Sequence, residues 1–218
     1  MKARPTVFLR DILLLTGALS ITAMSLRYLS FEVTGVLNLQ HEDIVNSLLY
    51  RIAFYIHIIG GMIALTLGPL QFWSKFRKRR LIWHRRIGRI YIYSIAVSGM
   101  VGLPVVYFAH GGAIAVMGFL MLDLLWLSTT YLGLLAVLKK NIAQHMIWME
   151  RSYAVTFAAV TLRIIIGIGG LLGFAFTPGY QFAAWACWII NLGVLESVRR
   201  WRRKKIVVST LLDLKTAD

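Results

Sequence analysis

Six apolar stretches, each near the roughly 20 residues a helix needs to cross a bilayer, alternate with short polar connections along the chain. They run over residues 11–29, 51–73, 87–109, 113–138, 148–172 and 181–198. Lipid offers no partner to a backbone amide, so each is predicted to be a helix whose hydrogen bonds close within itself. Nothing of domain size is left between them. Residues 1–218 therefore read as one integral membrane domain of the all-α class, a polytopic helical bundle. With 58% hydrophobic residues, only 15% charged and a mean hydropathy of +0.69, there is more apolar surface than one water-soluble core can hide.

The placement of positive charge predicts orientation. Between the second and third spans, KFRKRRLIWHRRIGRIY (75–91) carries eight Lys/Arg. The N-terminal segment adds Lys2, Arg4 and Arg10, the fourth connection Lys139, Lys140 and Arg151, and the tail after residue 198 seven more, so that 21 of 24 fall on alternate connections. Positive charge is retained on the cytoplasmic side, which gives six spans with both termini inside. The formal net charge of +15 does not point to nucleic acid, because it sits in short blocks flanking apolar helices and not along one folded face. RRWRRKK (199–205) reads as an interfacial anchor ahead of a short soluble tail. The lipid bilayer is thus the expected partner, and small-residue helix faces leave room for partner helices or a homo-oligomer.

Smaller features fill in the plan. The start of the chain shares the charged and apolar regions of a secretory signal peptide, but Asp11 interrupts it and no small-x-small site follows, so it is expected to remain as the first span. In the long outer connection, Glu42 and Asp43 are expected to begin a helix that runs on into the second span. Tight turns are expected at 110–112 and 177–179. Cys187 is the single cysteine, so no intrachain disulfide, CxxC zinc site or CxxCH haem attachment can form.

Chemistry is concentrated in histidines that share helical faces with small residues. His57 lies with Ala53, Gly60 or Gly61, Ala64 and Gly68 on one stripe of the second span. The bland explanation is a packing groove in which His57 bonds a neighbouring helix. His84 leads Gly88, Tyr91, Ile95, Ser98 and Gly102 on the third span, and His145 leads Met149, Ser152, Thr156, Ala159, Arg163 and Gly167 on the fifth. Both are at the cytoplasmic end. Two imidazoles at one depth on different helices can ligate one haem iron from opposite sides, so His84 and His145 form the candidate metal-ligating pair. Arg85, Arg86 and Arg89 lie nearby for propionates, and Arg163 is a further candidate contact. His57 and His110 form a looser candidate pair in the outer half; the bland explanation of His110, before two glycines, is a turn residue. Asp123, in the middle of the fourth span, and Arg163, in the fifth, are expected to meet as a buried ion pair. An isolated charge at mid-bilayer costs from about 2.5 to more than 10 kcal/mol, which pairing relieves. No phosphate loop or nucleophile elbow occurs.

The segments HIIGGMIALTLGPLQF (57–72), WHRRIGRIY (83–91) and HMIWMERSYAVTFAAVTLR (145–163) resemble the pattern of DUF2306, a family of uncharacterised bacterial multi-pass membrane proteins. The likeness spans about 50–175 and implies a four-helix core in a bacterial inner membrane, with no activity attached. In outline, histidines toward both faces of such a core are also similar to cytochrome b561-type two-haem electron carriers. Three functions stay open from the residues: a b-type haem redox protein, a small proton-coupled carrier using His57, Asp123 and Arg163, and a non-catalytic membrane scaffold.

Overall fold

The computed structural model describes residues 5–30 and 35–215, with side chains described over 14–30, 37–73, 76–77 and 79–205. Among the described residues every regular element is helical. The elements are α1 (Pro5–Ser25), two 3₁₀ turns (Leu26–Ser30 and Gly35–Leu39), α2 (Glu42–Asn46), α3 (Leu48–Phe72), α4 (Ser74–Arg79), α5 (Leu81–Tyr107), α6 (Gly112–Leu138), α7 (Ile142–Thr156), α8 (Ala158–Leu171) and α9 (Phe176–Lys215). Among the described residues, five spans are long and apolar enough to cross a membrane: α3, α5, α6, α7 with α8, and α9 as far as Lys205. The expected count is six, and α1 is not among these five.

Four helices form a closed ring. α3 packs on α5, α5 on α6, α6 on α7, and α7 closes back on α3, so α5 and α7 face each other across its centre. Small residues bring the backbones together. A Cβ on Gly60 of α3 would stand 2.7 Å from Ser98 Cβ and 2.9 Å from the Ser94 carbonyl of α5. Gly68 of α3 receives the ring of Tyr153 from α7, whose hydroxyl donates to the Leu65 carbonyl at 3.3 Å. α1 lies outside the ring on α3, tied by a Thr22–Thr66 hydroxyl bond of 3.0 Å. α9 runs along α6, α7 and α8.

Three expectations change. The acids of the outer connection do occupy a helix start, but α2 ends at Asn46; Ser47 breaks the chain direction and its hydroxyl caps α3 by accepting from the Tyr50 amide. The turn placed at 177–179 lies one turn earlier: Gly173 adopts φ +80°, and Pro178 falls in the first turn of α9. Proline sacrifices no hydrogen bond there, because first-turn amides have no intrahelical acceptor. The fifth span is not one straight helix. It breaks at Phe157, and α8 leaves the ring to pack on α9 and α1. Thr156 bonds back to the Ser152 carbonyl (2.8 Å), a habit that bends helices. Asn191 of α9 bridges the break, donating to the Ala154 carbonyl (3.0 Å) and accepting from the Thr161 hydroxyl (2.9 Å).

The two adjacent glycines of α3 separate packing from exposure. Gly60→Leu drives a branched side chain into α5 backbone and is expected to lower the thermal unfolding temperature in detergent, at a cost of about 3 kcal/mol or more. Gly61, with nothing within 4 Å of its would-be Cβ, should accept leucine with no loss, since the helix gains propensity.

Candidate functional site

At one end of the ring, His84 opens α5 and His145 sits in the first turn of α7, the two helices that face each other across the centre. The two imidazoles lie within electrostatic reach of one another, with Arg77 and Arg85 also close to His84. His145 Nδ1 is 2.8 Å from the Gly133 carbonyl of α6, which makes Nδ1 the donor and leaves Nε2 with a free lone pair. His84 Nδ1 is buried without a hydrogen-bond partner. Metal-bound imidazoles characteristically hold a backbone carbonyl with the nitrogen that is not ligating. Glycines flank the pair on both sides, and what covers them is flexible: Gln71 Oε1 lies 3.4 Å from a Cβ built on Gly88, and Met149 Sδ lies 2.6 Å from one built on Gly133. Side-chain tips of this kind can withdraw, whereas backbone could not. His84 and His145 are therefore the residues that would hold a flat metal-bearing group here, and the side chains over Gly88 and Gly133 could withdraw for it. Among the described residues no three or more His, Cys, Asp or Glu gather as they would around a bare metal ion.

Inward from the pair the core is tied by hydroxyls. Tyr91, 1% exposed, bonds the Ser152 hydroxyl at 2.9 Å and the Thr156 hydroxyl at 3.0 Å. Thr130 meets Ser152 at 2.7 Å, and the Trp126 indole donates to Thr156 at 2.8 Å. Three helices thus share one network, in which every hydroxyl has more than one partner. The stripes headed by His84 and His145 already held Tyr91, Ser152 and Thr156; Trp126 and Thr130 join from α6.

The next layer holds His57 and Asp123. His57 Nδ1 meets the Ser98 carbonyl at 3.0 Å while the Ser98 hydroxyl donates to the His57 carbonyl at 2.7 Å, so α3 and α5 are bonded in both directions. The helix-packing role of His57 is present in full. Asp123 is 4% exposed, and neither of its carboxyl oxygens has a hydrogen-bond partner.

Two predicted pairs are not brought together. Arg163 lies on α8, beyond the break at Phe157, and donates to the Ala159 carbonyl at 2.8 Å, near Tyr28, Arg27 and Tyr180 and away from Asp123. The ion pair fails because the bend carries the arginine off the face that α7 presents to α6. His110 faces α9, where Nε2 is 3.1 Å from the Thr177 hydroxyl and the ring contacts Phe176 and Tyr180. His57 is turned into the ring toward Ser98, so no outer histidine pair forms. Asn191 was missed by sequence reasoning; an amide within the apolar run WIINLG was the available signal.

The family described as "Predicted membrane protein (DUF2306)" matches residues 54–198, from the second turn of α3 into α9. The chain belongs to the DUF2306 family. That match takes in the ring, the break at Phe157 and the Asn191 bridge, so the DUF2306 segment is wider than the 50–175 core read from the motifs. No curated protein and no solved structure matches the chain.

The hydroxyl network makes a graded prediction for this DUF2306 protein. Tyr91→Phe removes one hydroxyl while Ser152 and Thr156 keep their other partners, so the loss should be only about 1 kcal/mol. Thermal unfolding in detergent should show a small shift with the fold retained.

Proposed function

We propose that this protein is a six-span redox protein of the bacterial inner membrane, with both termini cytoplasmic, that holds one b-type haem between His84 and His145. What carries the reading is the placement of these imidazoles on the two helices that face each other across the ring, one of them fixed by the Gly133 carbonyl. Arg77 and Arg85 supply positive charge for propionates at the same level. A bound haem b would supply one-electron chemistry. The protein's part is to orient both rings, to exclude water with the Tyr91 network below them, and to keep the group near the cytoplasmic surface. The outer histidines take no part, so the reading is of one haem and not two.

The topology half of the proposal makes α1 the sixth span, consistent with the positive charge ahead of it. Phosphatase fusions after Gly111 should be active and fusions after Lys139 or Lys205 inactive; the reverse pattern would refute the orientation.

The cofactor half is read from absorption. Protein purified in mild detergent from haem-sufficient cells should show a Soret band, with the α-band sharpening on dithionite reduction. His84→Ala and His145→Ala should each abolish these bands, and His110→Ala and Arg163→Gln should leave them intact. Protein with no Soret band, or bands indifferent to both ligand substitutions, would remove the haem reading.

A further inference from the structure

Asp123 and His57 converge on one notch of α5. A Cβ placed on Gly102 would stand 2.5 Å from His57 Nδ1 and 3.3 Å from Asp123 Oδ2, and one placed on Gly99 would stand 3.2 Å from Asp123 Oδ1. Only hydrogen fits between the carboxyl and the α5 backbone at these two turns. The carboxyl is therefore held against glycine, next to an imidazole, with Trp126 packed edge-on to that imidazole at 6.2 Å.

His84 lies at the far end of α5, about four to five turns from the notch, and other ionisable side chains on the surrounding helices are engaged elsewhere. Tyr91 on α5 is bonded within the hydroxyl network, and on α7 Glu150 and Arg151 pair with Arg199 and Glu196 of α9. Cys187 on α9 is directed at the Ala184 carbonyl, and Arg163 on α8 at the Ala159 carbonyl. His57 on α3 is the one that shares the notch.

That inventory selects the ligand. A hard metal cation needs a shell of several oxygens. Here the Ser98 carbonyl and hydroxyl are both committed to His57, and Leu127, Trp126 and the glycines of α5 are the other neighbours. A proton needs one oxygen and a neighbouring base. One proton held by either of the two groups leaves the notch without net charge, whether it resides on the carboxyl or on the imidazole, and so meets the demand of the membrane interior that no isolated charge remain.

We propose that Asp123 and His57 form a proton-binding site in the membrane-embedded core, in which the Asp123 carboxyl takes up and releases one proton and His57 is its exchange partner. The site shares no residue with the cytoplasmic histidine pair and stands whether or not haem is bound there.

Infrared difference spectra between acidic and alkaline states of the full chain in lipid vesicles test the site. A titrating carbonyl band of a protonated carboxyl is expected in the native protein, lost in Asp123→Asn and displaced in frequency in Asp123→Glu, which also covers the case that the asparagine variant does not fold. His57→Gln should move the titration midpoint by about one pH unit or more. A band that survives Asp123→Asn, a midpoint indifferent to His57→Gln, or a band abolished by sodium at fixed pH would overturn the assignment. Haem content, read from the same samples by absorption, reports on the other site separately.

Discussion

The reciprocal bond between His57 and Ser98 is the contact on which the ring depends. In lipid a polar side chain has no water to turn to, so its partner must come from another helix, and a pair of bonds running in both directions fixes depth and rotation together. With Ser98 seated on Gly60, α3 and α5 approach closely enough for both bonds. Once α5 is set by that contact, Gly99 and Gly102 face α6 at Asp123, and Tyr91, two turns nearer the start of α5, faces α7. His84 follows two turns further along the same face. One interhelical tie therefore orders three layers of polar residues: an acid and an imidazole, a hydroxyl network, and a pair of imidazoles at the end of the ring where α5 begins.

The break at Phe157 divides the labour within the fifth span. Up to Thr156 the helix serves the ring and contributes Ser152, Tyr153 and Thr156 to its interior. Beyond it α8 belongs to the outer layer with α9 and α1. The Asn191 side chain spans the discontinuity with one donor and one acceptor, so the bend leaves the Ala154 carbonyl satisfied in a region without water. A consequence is that Arg163 belongs to this outer layer and not to the ring that holds Asp123.

How far the fold and site could be read from the sequence follows from the same physics. Hydropathy and length locate α3, α5, α6, α7 with α8, and α9, because a bilayer imposes both. The 3- and 4-residue spacings correctly collect Tyr91 with His84, and Ser152 and Thr156 with His145, because these stretches are regular helix. The stripe fails at Arg163, since it was continued through Phe157 as if the helix were straight. Neither glycine nor proline marks that bend; its cause is a threonine hydroxyl and an asparagine some 30 residues away in the chain, which no local pattern contains. His110 fails for a different reason: a loop histidine takes its neighbours from whichever helix passes by, here α9. The placement of His84 opposite His145 in a ring is tertiary information that spacing could only suggest.

The proposal that His84 and His145 together hold one haem stands or falls on what ligates the iron. Electron paramagnetic resonance of the oxidised protein at cryogenic temperature addresses it directly, because axial ligation sets the spin state of ferric haem. Two histidine ligands predict a low-spin signal that disappears or turns high-spin when either His84 or His145 is replaced. A high-spin ferric signal in the native protein, or no haem signal at all, would contradict it.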